Sequence, residues 1–488
     1  MDTLYLDGTN LELDVLFSVL EGKNYKIEVT NEAQLSSDTG LFHIEESNLL
    51  SRGIREKQIN PLDIPRTYAV SYGKTLPKEV GKISLILLLN SSIKQANNLR
   101  KDFISRILDF INYGIYPCIH EVNNNELSAM SELALILSGE KGTTSFYNGE
   151  YHNTDELLKE LNLEKLEFNL KEVAFITKLC CVSVALSIQA LREAKKLAKT
   201  ADICIAMNLE GIRGETGAFD KRLHELARPF ANQIISAENT RRLLENSEFT
   251  TEEARITFGG DKGARCQDAI SYRATPQTHG GVRDTIQWLE ENLKSEINDI
   301  SYRINPLIGY SLDLMTIALA DLGNISERRS FRLNDSNLSY GLPMNLVGEN
   351  PGFNHGFPVI QAAATAVLAE LKLLALPSTS SSIIDGRNDG YNCTTYSSAQ
   401  KTLEAMPLLT KVLAIEMLMT AQAMDLAKDK LKDFKFGKGT TAAIDEFRKY
   451  VEMTRINRFA VPDMVEADRL VAEAVVLDAV EKAIGRLK

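Results

Sequence analysis

One lysine stands alone in a long apolar stretch of the sequence. Lys178 lies within KEVAFITKLCCVSVALSIQAL, where the residues from Val173 to Ile188 are otherwise largely apolar. Such a lysine either extends its ammonium group to the edge of the apolar surface or faces a polar cavity. A lysine that is desolvated in this way can give up its proton and form a Schiff base with a carbonyl substrate.

Two further stretches carry polar side chains outside any plain core pattern. RTYAVSYGK places Tyr68 in a predicted extended segment just after Pro65. QDAISYRATPQTHGG holds Gln267, Arg273 and Gln277 in a polar, turn-prone loop that leads into a helix. We therefore regard these stretches as candidates for acid–base chemistry or substrate binding.

The sequence shows no metal or nucleotide motif. Its six histidines, at positions 43, 120, 152, 224, 279 and 355, never have HxH or HxxxH spacing, and no CxxC pair accompanies them. The glycine-rich FGGDKGAR lacks the Lys-Ser/Thr ending of a phosphate-binding loop, and GxSxG is absent. We predict no metal site, and the six scattered cysteines predict reduced core thiols.

Composition restricts the class of partner. The 488 residues are 44% hydrophobic, which is enough for a sizeable core, and carry a net charge of −11 with a pI near 5.3. This acidic balance predicts no nucleic-acid partner and no membrane partner. We find no signal peptide at the start and expect no membrane-spanning run, so we expect a soluble, cytoplasmic protein.

Helical periodicity dominates the chain. Five long segments rich in Leu, Ala and Ile predict helices: 83–114, 169–209, 284–322, 357–374 and 399–431. Strand signals are sparse and are clearest at 25–29 and 70–72. We predict an all-α fold with a long central helical bundle in residues 166–488 and a smaller, loop-rich part in residues 1–165.

Several stretches, in this order, resemble the histidine and aromatic amino acid ammonia-lyase family. TYAVSYG is similar to the family's YGxNTGFG loop, whose tyrosine is the catalytic base, and QDAISYRATPQTHGG is similar to QDxYSLRxQPQxxG. The opening LYLDGTNLELDV, ADLGNISERR and GLPMNLV…GFNHGF extend the likeness over nearly the whole chain. The resemblance implies the aromatic amino acid lyase fold, a small-molecule substrate, and a homotetramer with active sites shared between subunits.

The sequence departs from the family at the family's electrophile. In PxIPxxGSVGASGDLAPLAHxALxLxGEG, an Ala-Ser-Gly triad cyclises into methylidene-imidazolone (MIO). Here Pro117 aligns with the first proline and SAMSELALILSGEK with the later helix. The shortened stretch between them contains the degenerate MIO positions Asn123, Asn124, Asn125 and Glu126. Since no Ala-Ser-Gly occurs in the chain, we expect no MIO and no other cofactor, as in the ergothionase branch of the family.

Other positions of the family's site are altered or kept. The resemblance places Lys178 at the asparagine that supports the electrophile, and Asp389 near the acidic NQED motif. The candidates that survive at family positions are Tyr68, Gln267, Arg273 and Asn354.

This set implies a lyase-type reaction without MIO. Tyr68 would take a proton as phenolate, Arg273 would hold the substrate carboxylate, and Lys178 would assist the tyrosine or donate a proton. Elimination, dehydration, addition and cyclisation on an aryl-containing, amino-acid-derived carboxylic acid all remain open.

Two other interpretations also remain open. Lys178 could itself form a Schiff base with the substrate. Alternatively, the chain could be a catalytically dead homologue that serves as a binding or scaffolding pseudoenzyme. The joint loss of the triad and its supporting asparagine favours the second of these, whereas the retained Tyr68 and Arg273 favour catalysis.

Overall fold

The computed structural model describes residues 2–30, 60–95, 99–122, 126–261, 265–299, 306–378 and 394–488. Within these ranges the protein is mostly helical, which confirms the predicted fold class. The strands are short: Asp2–Leu6 (β1), Tyr25–Val29 (β2), Tyr72–Thr75 (β3), Tyr116–Pro117 (β4), His120–Val122 (β5), Thr144–Tyr147 (β6) and Glu150–Asn153 (β7). β1 and β2 pair in parallel, whereas β3–β5, β4–β6 and β6–β7 are antiparallel pairs.

The helices differ widely in length. The helices that start before residue 200 are Leu13–Leu20 (α1), Asp63–Tyr68 (α2), Lys78–Lys94 (α3), Lys101–Tyr113 (α4), Glu126–Ser138 (α5), Thr154–Glu160 (α6), Leu170–Lys178 (α7) and Cys181–Gly211 (α8). The later ones are Ala231–Leu243 (α9), Glu252–Phe258 (α10), Ile270–Arg273 (α11), Thr275–Glu296 (α12), Pro306–Leu333 (α13), Pro358–Leu374 (α14), Thr395–Lys430 (α15), Lys438–Arg448 (α16), Val461–Ala472 (α17) and Val475–Ile484 (α18).

The predicted helices at 357–374 and 399–431 are confirmed by α14 and α15, and the strand at 25–29 by β2. The other three predicted segments each contain two helices. One break separates α7 from α8 at Leu179, whose extended backbone ends the first helix. Another separates α12 from α13, which begins at Pro306, where the fixed φ of proline suits the first turn.

One apolar segment reaches membrane-spanning length, contrary to the sequence-based expectation. The segment Leu170–Gly211 is long enough and apolar enough to cross a membrane. However, 83% of its most apolar 18-residue window is buried inside the protein. The expectation was wrong because apolar residues continue from the end of α7 into the first half of α8, where nearly every position is buried. Their burial is typical of core helices.

The described chain divides into two compact units. The first unit contains residues 1–192, 289–312 and 378–400, and the second contains 193–288, 313–377 and 401–488. The sequence-based division into 1–165 and 166–488 stays a prediction.

The core of the first unit includes α3, which is buried at every position from Val80 to Ile93. α3 packs against α4 and β4. A Cβ at Gly81 would lie 2.1 Å from the Pro117 carbonyl oxygen, so glycine is required for the close approach of α3 to β4. This contact fixes the strand that precedes β5.

A buried carboxyl joins two helices of the second unit. The Glu210 Oε1 atom accepts a hydrogen bond from the Gly437 N–H at 2.7 Å, just before α16. Burial raises the Glu210 pKa to about 7, from an ordinary 4.5. Because the folded state holds this proton more tightly than the unfolded state, the stabilisation is complete below pH 4.5. It is lost as the pH rises through about 7.

We predict that Glu210→Gln makes stability less dependent on pH. Raising the pH from 6 to 8 should cost the parent protein about 1 kcal/mol of unfolding free energy through this group alone. Glutamine keeps an oxygen for the Gly437 N–H and cannot ionise, so the variant should lose that part of the slope. Urea unfolding at both pH values measures it, with the exposed Glu253→Gln as the control. Equal slopes in Glu210→Gln and the parent would contradict the prediction.

Candidate functional site

Tyr68 is the last residue of α2 and is 40% exposed. The predicted extended conformation was wrong at this residue. Pro65 is tolerated in the first turn of α2 because the first amide groups of a helix have no intrahelical acceptor. Beyond the helix, the Val70 N–H donates to Ser128 Oγ at 3.0 Å, and the Ser71 hydroxyl lies 3.1 Å from the same oxygen. The chain after Tyr68 is therefore attached to α5.

Strand pairing places the residues that follow this segment beside β5, which precedes the shortened stretch in the sequence. In the β3–β5 pair, Tyr72 is opposite Val122 and Thr75 is opposite His120, with an irregularity between them. β5 ends immediately before the degenerate MIO positions Asn123–Asn125, which lie outside the described residues. The strand that follows Tyr68 and the strand that leads into this stretch thus belong to one sheet.

Glu126 opens α5 and binds the start of α8. Its two carboxylate oxygens accept hydrogen bonds from the Val182 and Ser183 amides, each at 3.0 Å. These amides belong to the first turn of α8, where the helix dipole favours an anion. Burial nevertheless raises the Glu126 pKa to about 7, and the hydrogen bonds pull it in the opposite direction.

Glu132, one helical turn after Ser128, binds His120 through both of its carboxylate oxygens. His120 Nδ1 lies 2.5 Å from Glu132 Oε1, and the His120 N–H donates to Glu132 Oε2 at 3.0 Å. The Glu132 side chain is only 12% exposed, whereas the His120 side chain is 31% exposed. Burial raises the pKa of Glu132, and its hydrogen bonds with His120 lower it. Neither residue was predicted from the sequence as a site residue.

The N-terminal part of α15 brings two more polar side chains to this region. The Gln400 side-chain amide donates to the Glu121 carbonyl at 2.6 Å. The Tyr396 hydroxyl is buried and has no hydrogen-bond partner within the described ranges. Burial raises its pKa, and the nearby charges of Glu126 and Glu132 raise it further. A neutral phenol is therefore available here as a hydrogen-bond donor.

Lys178 is the last residue of α7 and is partly exposed. The apolar run that surrounds Lys178 continues past it in the sequence, but the helix ends here. A cation at a helix C-terminus interacts favourably with the helix dipole. α7 also packs against α2 and α5, so Lys178, Tyr68 and Glu126 lie on helices that contact one another within the first unit.

The second unit holds Gln267 and Arg273, both of which are exposed. Gln267 lies in the non-helical stretch before α11, and Arg273 ends that helix. α11 is attached to α8, because the buried Tyr272 hydroxyl donates to Asn208 Oδ1 at 2.9 Å.

A buried ion pair supports that attachment. Arg329 Nε and Nη2 donate to the two Glu416 carboxylate oxygens at 2.5 and 2.8 Å, with neither side chain exposed. Asn208 donates to Glu416 Oε1 at 3.2 Å, and Ser326 donates to Oε2 at 2.6 Å. Removing one member would leave a buried charge unpaired, so this network is a structural anchor for α11.

Asn354 is engaged within its own loop. Its Nδ2 donates to the Glu349 carbonyl at 2.5 Å, and its Oδ1 accepts from the Asn457 N–H at 2.7 Å. Gly356 in the same loop has φ +73°, and a Cβ there would lie 2.1 Å from the Asn345 carbonyl oxygen. The amide of Asn354 therefore shapes the loop. Asp389 lies outside the described residues.

Comparison with known proteins agrees with this architecture. The family model for aromatic amino acid lyase matches residues 51–449. Histidine ammonia-lyase from Alkaliphilus oremlandii (strain OhILAs) is 32% identical over 442 residues, which cover 86% of this chain and 83% of that protein.

Solved structures give the same fold. The structure of histidine ammonia-lyase from Trypanosoma cruzi superposes with a TM-score of 0.83 at 25% identity, covering 99% of this chain and 96% of that one. Ergothionase from Treponema denticola superposes with a TM-score of 0.84 at 19% identity, covering 98% and 100%. With a family model that spans most of its length and a relative of this similarity, the chain belongs to the aromatic amino acid lyase family.

Proposed function

We propose that this protein is a lyase-type enzyme that works without MIO on an aryl-containing, amino-acid-derived carboxylic acid. The observation that carries the proposal is the arrangement around α5. His120 and the segment that follows Tyr68 are attached to this helix, and Glu126 belongs to it, in a family whose relatives are ammonia-lyases. These side chains can transfer protons, which is the chemistry that an elimination requires.

The residues between β5 and α5 do not suit an MIO ring. Three residues connect Val122 to Glu126, and all three are asparagines. Ring formation requires the serine and glycine of the family's triad, and neither is present here. The Glu126 carboxylate is already bound to the first turn of α8. We therefore assign no step of the reaction to an MIO ring. We assign proton transfer to ordinary side chains.

In the proposed reaction Tyr68 is the base. It removes the proton from the carbon next to the one that bears the leaving group. Lys178 assists the tyrosine or donates a proton, and Arg273 binds the substrate carboxylate through a guanidinium suited to bidentate pairing. Gln267, Asn354 and Asp389 complete the proposed set of substrate-binding residues. The reaction needs no cofactor, and we propose a cytoplasmic location.

We predict that Tyr68→Phe abolishes most turnover. Arylalanines, their trimethylammonium betaines and their β-hydroxy analogues should be screened for new conjugated absorbance. On any substrate that reacts, loss of the hydroxyl should lower kcat/KM by roughly 10²–10⁴-fold, the usual contribution of a general base. Tyr113→Phe, which alters an exposed tyrosine of α4, is the matched control.

Full activity in Tyr68→Phe would remove the base from the proposal. If the screen gives no turnover at all, the pseudoenzyme interpretation replaces it.

We also propose a homotetramer with shared active sites. Four apolar residues on α13 are between 41% and 44% exposed: Leu307, Tyr310, Leu314 and Ile317. Their spacing of three, four and three residues forms one stripe, as in the seam between packed helices. A stripe of this kind is expected to be covered by another helix.

We predict that Leu314→Glu combined with Ile317→Glu dissociates the assembly. Two charges would have to be buried in the seam, which is unfavourable without partners. Light scattering should report four times the 54.3 kDa chain mass for the parent and a smaller species for the variant. Val465→Glu, at an exposed position of α17, should remain tetrameric. A monomeric parent protein at micromolar concentration would refute the shared-site proposal.

A further inference from the structure

We propose that His120, oriented by Glu132, protonates the leaving group, and that this group is a hydroxyl. The reaction would then be the dehydration of an aryl-containing hydroxy acid, or the reverse hydration. This inference rests on the proposed function, since it takes Tyr68 as the base. It narrows the substrate class to molecules whose leaving group cannot depart without a proton.

The hydrogen bonds of His120 fix which ring nitrogen meets the substrate. Glu132 binds both the ring Nδ1 and the backbone N–H of His120, at 2.5 and 3.0 Å. A carboxylate on Nδ1 holds the imidazole in one orientation. Nε2 is then the nitrogen that can exchange a proton with a ligand. Glu132 is a positioning residue, because it acts through His120.

The two proposed proton-transfer groups are held by neighbouring positions of one helix face. Ser128 binds the segment that follows Tyr68, and Glu132 binds His120. Residues four apart on a helix lie on the same side, with their Cβ atoms about 6 Å apart. The β3–β5 pairing joins the same two segments through their backbones. The segment that follows Tyr68 and the His120 ring are therefore anchored one helical turn apart on α5, and both Tyr68 and His120 are partly exposed.

The chemistry of departure selects the hydroxyl. A quaternary ammonium leaves as a neutral amine, and a primary ammonium leaves as ammonia, so neither requires an added proton. A hydroxyl would have to leave as hydroxide, which is a poor leaving group, unless an acid protonates it as the bond breaks. A dedicated acid beside the base is useful for this last class.

The proposed step balances without a redox partner. The Tyr68 phenolate takes the C–H proton, and the C–H electron pair becomes the new C=C bond. The C–O bond breaks with its electron pair on oxygen, and that oxygen takes the Nε2 proton of His120 and departs as water. Tyr68 then returns its proton to solvent, and His120 regains one.

Two probes with different leaving groups test this assignment. One is 3-hydroxy-3-phenylpropanoate, and the other is 3-(4-nitrophenoxy)-3-phenylpropanoate. A second version of each probe has an imidazolyl ring in place of the 3-phenyl ring. Nitrophenolate departs without a proton donor. We expect His120→Gln to lower dehydration of the hydroxy probe at least 100-fold and to change release of nitrophenolate less than about threefold. Glu132→Gln should show the same selective loss, and Tyr68→Phe should impair both probes.

The controls separate this inference from the proposed function. His152→Gln removes another histidine of the first unit and should change neither rate. Thermal unfolding of each variant reports on folding, and the nitrophenoxy rate provides an internal check that the site is intact. Turnover of the nitrophenoxy probe alone by the parent protein, or equal losses of both rates in His120→Gln, overturns the role of His120 and leaves Tyr68 as the base. No turnover of either probe overturns both proposals.

Discussion

The connection between β5 and α5 is short and is fixed at both ends. Val122 pairs with Tyr72 at one end, and Glu126 binds the first amides of α8 at the other. Three residues of chain can span at most about 11 Å when fully extended. The family's corresponding loop, which contains the self-condensing triad, is about four residues longer. We propose that the chemistry of the site depends instead on side chains carried by the flanking elements.

The side chains around this connection suit proton transfer. Burial raises the pKa of both Glu126 and Glu132. One carboxyl is bound to a helix N-terminus, and the other orients an imidazole. Perturbed acids of this kind cluster at functional sites, although structural networks produce them as well. Glu210 in the second unit is an example of the structural kind, because burial raises its pKa and its carboxyl binds the Gly437 amide before α16.

Sequence reasoning was most successful where local pattern determines structure. The helix at 357–374 has strong apolar periodicity and a proline at its start, and these features alone predict it. The break after Lys178 could not be predicted, because the apolar pattern continues through it and only packing ends the helix. Tyr68 was recognised through its motif, but its helical conformation was missed because a short helix has little periodicity.

The His120–Glu132 pair shows what the motif comparison could have found. Aligned with PxIP, His120 stands at the second proline, and Glu132 stands at the final histidine of GDLAPLAH. Both residues differ from the family pattern, and an imidazole and a carboxyl near the same loop could have been predicted to interact. Their hydrogen bond was not predicted, because it joins a strand to a helix across twelve residues of chain.

The most direct test of the account is the intact mass of the purified protein. If no electrophile forms, mass spectrometry of the denatured chain should give the mass of the unmodified sequence. Ring formation from the backbone removes two water molecules, so a deficit of that size would contradict the central claim. Fragmentation that located the deficit at residues 123–126 would place the electrophile where this account assigns none.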